Sequence, residues 1–153
     1  SRRPFCIMLD TRELYQQILL DHNRSPRNFR TIDTPTSHAE GNNPLCGDTV
    51  SIDLTILDEA ITDIAFQGAG CAISTASASL MTKIVSGKTR QQALTLFDEF
   101  RDLVTGQSEM DDPGDLAAFG GVRGYPSRIK CATLAWHTLR AAIEGAEETI
   151  TTE

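Results

Sequence analysis

Two runs of alternating apolar residues, separated by Asp58-Glu59, constrain the fold of this chain most strongly. Val50, Ile52, Leu54 and Ile56 alternate with polar neighbours, and in the second run, Ile61 to Phe66, Ile64 and Phe66 alternate with Asp63 and Ala65. A side-chain period of two in neighbouring segments predicts a β-hairpin with one face to bury. That face needs cover, and the flanking sequence offers it in helical periodicity. Upstream, Leu14, Tyr15, Ile18, Leu19 and His22 share one helical face, after Asp10 and Glu13 in capping-box positions, and Ser25-Pro26 stops the helix. Residues 27 to 45 are polar and turn-rich.

After the hairpin comes Gly68-Ala69-Gly70-Cys71, then the small-residue run Ala72 to Ser79 followed by Leu80-Met81. The glycines let the backbone turn sharply, and small side chains let a helix approach its neighbours closely. Cys71 falls at the N-terminus of that helix. Thr89-Arg90-Gln91-Gln92 is a capping box for a further amphipathic helix, whose core face is Ala93, Leu96, Phe97, Phe100 and Val104. Residues 105 to 125 read as a loop with one short helix around Leu116 to Phe119. A last helix follows Pro126-Ser127, with Ile129, Ala132, Trp136, Leu139 and Ile143 on one face.

The 153 residues are enough for one domain with a true core and too few for two ordinary ones. With 14 Lys and Arg against 21 Asp and Glu, the net charge of -7 argues against nucleic acid as a partner. No apolar run approaches the roughly 20 residues of a membrane span. The run Phe5-Cys6-Ile7-Met8-Leu9 is also shorter than the roughly 7 to 15 residues of a secretory h-region, and Arg2-Arg3 alone makes no twin-arginine leader. A cytoplasmic location is therefore expected, where thiols stay reduced.

The four cysteines, Cys6, Cys46, Cys71 and Cys131, contain no C-x-x-C pair. Zinc-ribbon and thioredoxin-like spacings are thus both absent. Three of them fall at element boundaries: Cys46 before the first alternating strand, Cys71 where strand turns to helix, and Cys131 in the first turn of the last helix. A helix N-terminus favours thiolate, which is both nucleophile and metal ligand. Asp48 lies two residues after Cys46, on the same side of an extended strand. Three thiolates and a carboxylate suit Zn(II), or iron in a cluster, and a mixed set of this kind should exchange its cargo more readily than four cysteines. The blander alternative is that each cysteine is a small buried hydrophobe and Gly47-Asp48 simple turn chemistry. Arg128 and Lys130 start a helix where cations oppose its dipole, yet they could offset an anionic site, and Arg128 could orient a thiolate or persulfide. Cys6 is read as incidental. A cysteine hydrolase is disfavoured, because His137 lies roughly 240° round the helix from Cys131, His22 ends a helical face, and His38 has no nucleophile tied to it by spacing.

Four segments in order, Glu13 to Asn28, Asn43-Pro44-Leu45-Cys46-Gly47-Asp48, Gly68-Ala69-Gly70-Cys71-Ala72-Ile73-Ser74 and Arg128-Ile129-Lys130-Cys131-Ala132-Thr133-Leu134-Ala135-Trp136, resemble the U-type iron-sulfur assembly proteins. The resemblance runs from about residue 11 to 145. It implies an α+β fold, a small antiparallel three-stranded sheet packed with an N-terminal helix and a helical C-terminal half. Residues 1 to 10 are then a flexible extension and 146 to 153 an acidic, solvated tail. Lys130 replaces the histidine that the ISC-type scaffold branch carries before its last cysteine, Tyr125-Pro126-Ser127-Arg128-Ile129 replaces that branch's proline-rich chaperone segment, and the stretch around 105 to 125 is similar to a SUF-type insertion. By motif position the resemblance implies metal ligation by Cys46, Asp48, Cys71 and Cys131, with Cys46 the sulfur acceptor and Arg128 assisting it. It further implies Zn(II) and transfer of persulfide sulfur from a SufS-type cysteine desulfurase by zinc-ligand exchange, with downstream SUF scaffold proteins as further partners. Two rivals use the same residues: a scaffold that assembles a transient [2Fe-2S] cluster, and a structural zinc-binding domain.

Overall fold

The computed structural model describes residues 11–44, 47–108, 110, 113–145 and 150–151. The elements run α1 (Thr11–Arg24), β1 (Ser37–Asn43), β2 (Asp48–Leu57), β3 (Ala60–Ala69), α2 (Ala72–Val85), α3 (Arg90–Thr105), a 3-10 helix (Gly114–Val122), α4 (Pro126–Glu144) and β4 (Ile150–Thr151). The sheet order is β3-β2-β1-β4. The hairpin forms as its alternation requires, with Thr49 opposite Ala69 at one end and Leu57 opposite Ala60 at the other. Asp58 and Glu59 both take positive φ, 51° and 66°, as the tight turns that match strand twist demand.

β1 is the element that the sequence reading left as turn-rich chain. Its register on β2 runs antiparallel from Ser37 opposite Leu54 to Asn43 opposite Asp48. Ala39, Gly41 and Asn43 are buried and alternate with His38, Glu40 and Asn42, but none is β-branched or large, so the period of two carries almost no hydrophobic signal. The sheet also gains β4, which pairs parallel to β1 at Gly41 and Asn42 and comes from the stretch assigned to a solvated tail.

One face of the sheet buries Val50, Ile52, Leu54, Ile61, Ile64 and Phe66. α4 lies on β1 and β2, and α2 on β3. The aromatic centre is Trp136 stacked on Phe100 at 4.7 Å, with Phe119 edge-on to Phe100 at 5.6 Å. Phe119, fully buried, comes from the 3-10 helix, which is longer than the short turn expected at 116 to 119. Leu14, placed on the packing face of α1, is 48% exposed; Tyr15, Ile18, Leu19 and His22 make that face. The capping box of α3 closes in both directions, with Gln92 N-H donating to Thr89 Oγ1 at 3.1 Å and Thr89 N-H donating to Gln92 Oε1 at 3.0 Å. No helix among the described residues is long and apolar enough to cross a membrane.

α2 joins the layers through its small hydroxyls, which let helices approach closely while leaving no buried polar atom unanswered. Ser79 Oγ accepts from Arg27 N-H at 2.8 Å and meets His22 Nδ1 at 2.7 Å. Ser77 Oγ donates to the Ala132 carbonyl and accepts from Trp136 Nε1-H at 3.2 Å.

On the other face, His38 Nδ1 meets Asp53 Oδ1 at 2.5 Å and its Nε2 lies 3.2 Å from Glu40 Oε2. Hydrogen bonding to Asp53, with Glu40 assisting, raises the His38 pKa above its ordinary value against a smaller opposing effect of burial. A raised histidine pKa stabilises the fold fully below the unfolded pKa, near 6.5, and the contribution disappears as pH climbs through the higher folded value. Because burial lowers the His22 and His137 pKa values and so acts in the opposite sense, the reading is a difference: the excess urea midpoint of the wild type over His38→Gln should shrink as pH rises across neutrality. An identical slope in both proteins would refute the assignment.

Candidate metal centre

The hairpin's open end brings two of the sequence-predicted donors together. Asp48 opens β2 and is completely buried. Its Oδ1 accepts the backbone N-H of Cys71 at 2.9 Å, and its Oδ2 lies 3.7 Å from Cys71 Sγ. Cys71 is more than a residue near a helix start, because it is the N-cap of α2. Its φ of -73° and ψ of 168° are extended, and its sulfur accepts the Ser74 N-H at 3.4 Å. The cap answers one of the first-turn amides that a helix leaves unpaired. Its donor is a backbone N-H, so no residue type at position 74 signals it in the sequence.

Cys131 completes the group from α4, buried at 4% exposure. The helix begins at Pro126, so Cys131 stands in its second turn and not the first. The dipole argument therefore applies to Cys71 alone, and burial within the helix is what fixes Cys131. Donor atoms of Asp48, Cys71 and Cys131 lie within 4.8 Å of one another, and no other such group occurs among the described residues. Ligand atoms around a tetrahedral zinc are about 3.5–3.8 Å apart. The set needs little contraction to hold the ion, and its two soft sulfurs with one carboxylate are donors that Zn(II) accepts.

Cys46 lies outside the described residues, as does Cys6. The expected same-side relation of Cys46 and Asp48 therefore also falls outside the described residues; Gly47, between them in sequence, has φ 74° and donates its N-H to the Asn43 carbonyl at 2.8 Å.

Arg128 is exposed and stacks its guanidinium over the Tyr125 ring at 4.8 Å. With Tyr125, Tyr15, Leu19, Ile73 and Val122 it lines a groove of about 720 Å³. Lys130 is half-buried. The histidines serve elsewhere. His22 is buried on Ser79, and burial lowers its pKa; His137 sits edge-on to Phe97 at 5.0 Å, with its pKa also lowered by burial; His38 is held by two carboxylates.

A family model described as the NifU-like N-terminal domain matches residues 14–151, and the chain belongs to that family, the U-type iron-sulfur cluster assembly proteins. It is 39% identical over 141 residues to the zinc-dependent sulfurtransferase SufU of Bacillus subtilis, spanning 91% of this chain and 94% of that one. It is 41% identical over 133 residues to the iron-sulfur cluster assembly scaffold protein IscU of Streptococcus pyogenes serotype M1, spanning 86% of this chain and 83% of that one. Among solved structures it is similar to a SUF-system iron-sulfur cluster assembly scaffold protein from Fervidobacterium islandicum, with a TM-score of 0.79 and 32% identity over 88% of this chain and 99% of that one.

The double duty of Cys71, as cap and as donor, is separable. In metal-free protein, Cys71→Ser keeps a capping atom and should leave the urea midpoint unchanged or raise it, whereas Cys71→Ala should lose up to about 1 kcal/mol. Equal losses in both variants would show that the sulfur does not act as a cap.

Proposed function

We propose that this chain is a SUF-type iron-sulfur assembly protein that holds Zn(II) at Cys46, Asp48, Cys71 and Cys131 and accepts sulfur on Cys46 from the persulfide of a SufS-type cysteine desulfurase. The observation that carries the reading is the gathering of a buried carboxylate and two cysteine sulfurs within 4.8 Å, in a chain 39% identical to a zinc-dependent sulfurtransferase. Zinc, when bound, keeps its cysteine ligands deprotonated at neutral pH.

The chain's own residues supply the rest. Asp48 and Cys71 are tied to each other and to the first turn of α2, and Cys131 is fixed by burial in α4. Cys46, two residues before Asp48 in sequence, is the sulfur that accepts. Its thiolate attacks the outer sulfur of the partner's persulfide, a new S-S bond forms on Cys46, the old S-S bond breaks, and the electron pair leaves on the partner's cysteine as thiolate. The transferred sulfur keeps its own proton, so the step needs no oxidant. Arg128, on the rim of the groove beside Ile73, offsets the negative charge of the incoming persulfide.

Purified protein incubated with the desulfurase and cysteine should gain one sulfur atom by intact mass, mapped to Cys46, and Cys46→Ser should gain none. No sulfur on Cys46 in the wild type would overturn the proposal. A second reading, a scaffold that builds a transient [2Fe-2S] cluster and passes it to apo-proteins or downstream SUF scaffolds, is favoured by the 41% identity to an IscU scaffold. Anaerobic reconstitution with iron and sulfide discriminates between the two. A stable chromophore of about one cluster per monomer or dimer supports the scaffold, and retained zinc with no chromophore supports sulfur transfer.

A further inference from the structure

Among the residues of the site, Gly70 is explained by nothing said so far. The positive φ that glycine alone adopts freely is not used here, since Gly70 is absent from the glycines with positive φ, a group that includes Gly68. A glycine without an unusual backbone conformation differs from other residues at its position chiefly through its missing side chain. A Cβ built on Gly70 would lie 2.5 Å from Asp48 Oδ1, 2.9 Å from its Cγ and 3.1 Å from its Cβ. Real carbons do not approach this closely. The register explains the collision: Thr49 pairs with Ala69 at the end of the hairpin, so the next residues outward, Asp48 and Gly70, face each other. Any side chain at position 70 would occupy the space that the Asp48 carboxylate fills.

We infer that Gly70 is a positioning residue for the metal centre: by lacking a side chain it lets the Asp48 carboxylate dock on the Cys71 N-H, so that Oδ1 is held and Oδ2 is left facing the sulfurs. The inference rests on the metal-binding reading above and assigns a role to a residue that is not itself a ligand. Asp48 is completely buried and has a short side chain with few rotamers, so it has no other docked position of equal quality. An alanine at 70 displaces the carboxylate, breaks its bond to Cys71 N-H and withdraws Oδ2 from the set. It does so without replacing any ligand residue.

The test is a double-mutant cycle on the full chain with two readouts. Zinc affinity by chelator competition and the Co(II) absorption spectrum are measured for wild type, Gly70→Ala, Asp48→Ala, the double variant, and Gly120→Ala, a control position where a Cβ meets nothing within 4 Å. Gly70→Ala should weaken zinc binding about tenfold or more and shift the cobalt spectrum toward that of Asp48→Ala, in the range typical of lost ligand support. Added to Asp48→Ala, which removes the atoms at 2.5 and 2.9 Å and leaves only the Cβ at 3.1 Å, Gly70→Ala should change affinity by less than about threefold. Gly120→Ala should match wild type. A Gly70→Ala protein with wild-type affinity and spectrum, or a double variant whose losses simply multiply, overturns the inference.

The second readout needs no metal. Amide hydrogen exchange at Cys71 in metal-free protein should be protected in the wild type and about tenfold or more faster in Gly70→Ala, with Asp48→Ala alike. Unchanged protection in Gly70→Ala refutes the positioning role even if the chain binds no metal, whereas absence of zinc binding in the wild type alongside a lost Cys71 protection refutes only the metal-binding reading.

Discussion

The hydrogen bond from the Cys71 amide to Asp48 Oδ1 is the contact on which the site depends. It joins residues 23 apart in sequence, the first residue of β2 and the cap of α2, across the open end of the hairpin. A carboxylate removed from water is costly unless it is paired and hydrogen-bonded. At this position the compensation is an amide at a helix N-terminus, reinforced by the Cys71 thiol facing Oδ2 at 3.7 Å. The same contact sets where α2 starts and which way the Cys71 sulfur points. Close approach of the β3 end to β2 is its precondition, and Gly68 meets it: a Cβ there would lie 2.1 Å from the Thr49 carbonyl oxygen.

From that cap, α2 runs through the middle of the molecule with an unusual composition. Ser74, Ser77, Ser79 and Thr82 are buried along with Ala76 and Ala78. Buried hydroxyls are costly without partners, and for three of these the layers that α2 joins supply them: His22 and the Arg27 amide for Ser79, the Ala132 carbonyl and Trp136 for Ser77, and, beside the Ser79 carbonyl of its own helix, the Asn28 amide side chain and Arg27 carbonyl for Thr82. Directional bonds of this kind fix rotation and depth of a helix, which apolar packing alone leaves softer. The position of Cys131 relative to Cys71 follows, because Ser77 holds α4 at Ala132, the residue next to Cys131.

The parts of the fold legible in the sequence are those with strong local chemistry. The hairpin shows in large β-branched alternation, α3 in a reciprocal capping box, and α4 in the spacing of Ile129, Ala132, Trp136, Leu139 and Ile143. β1 was hidden because Ser37–Asn43 contains small and polar residues whose strand state is imposed by pairing with β2, a tertiary effect that outweighs propensity. Site residues were legible by type and order, not by geometry. Pro126 as the first residue of α4 moves Cys131 into the second turn, and the bond from the Cys71 amide to Asp48, 23 residues away, has no local signature. The close approach at Gly70 has no sequence signature, since a glycine's missing volume is visible only when the opposing atoms are known.

These constraints also bear on whether metal and fold depend on one another. Zinc is essential to folding in domains too small to bury an adequate apolar core. Here Trp136, Phe97, Phe100 and Phe119 are buried together with the apolar face of the sheet, and none of them belongs to the donor set. Each described donor is followed closely along its own element by residues of that core: Val50 after Asp48, Ala76 after Cys71, and Ala132 and Leu134 after Cys131. The core thus holds the three elements in place, and the Asp48 to Cys71 bond aligns two donors between them. A site preorganised in this way binds metal without carrying the fold. In the sulfur transfer proposed above, that arrangement would let one sulfur leave while the scaffold stays as it is.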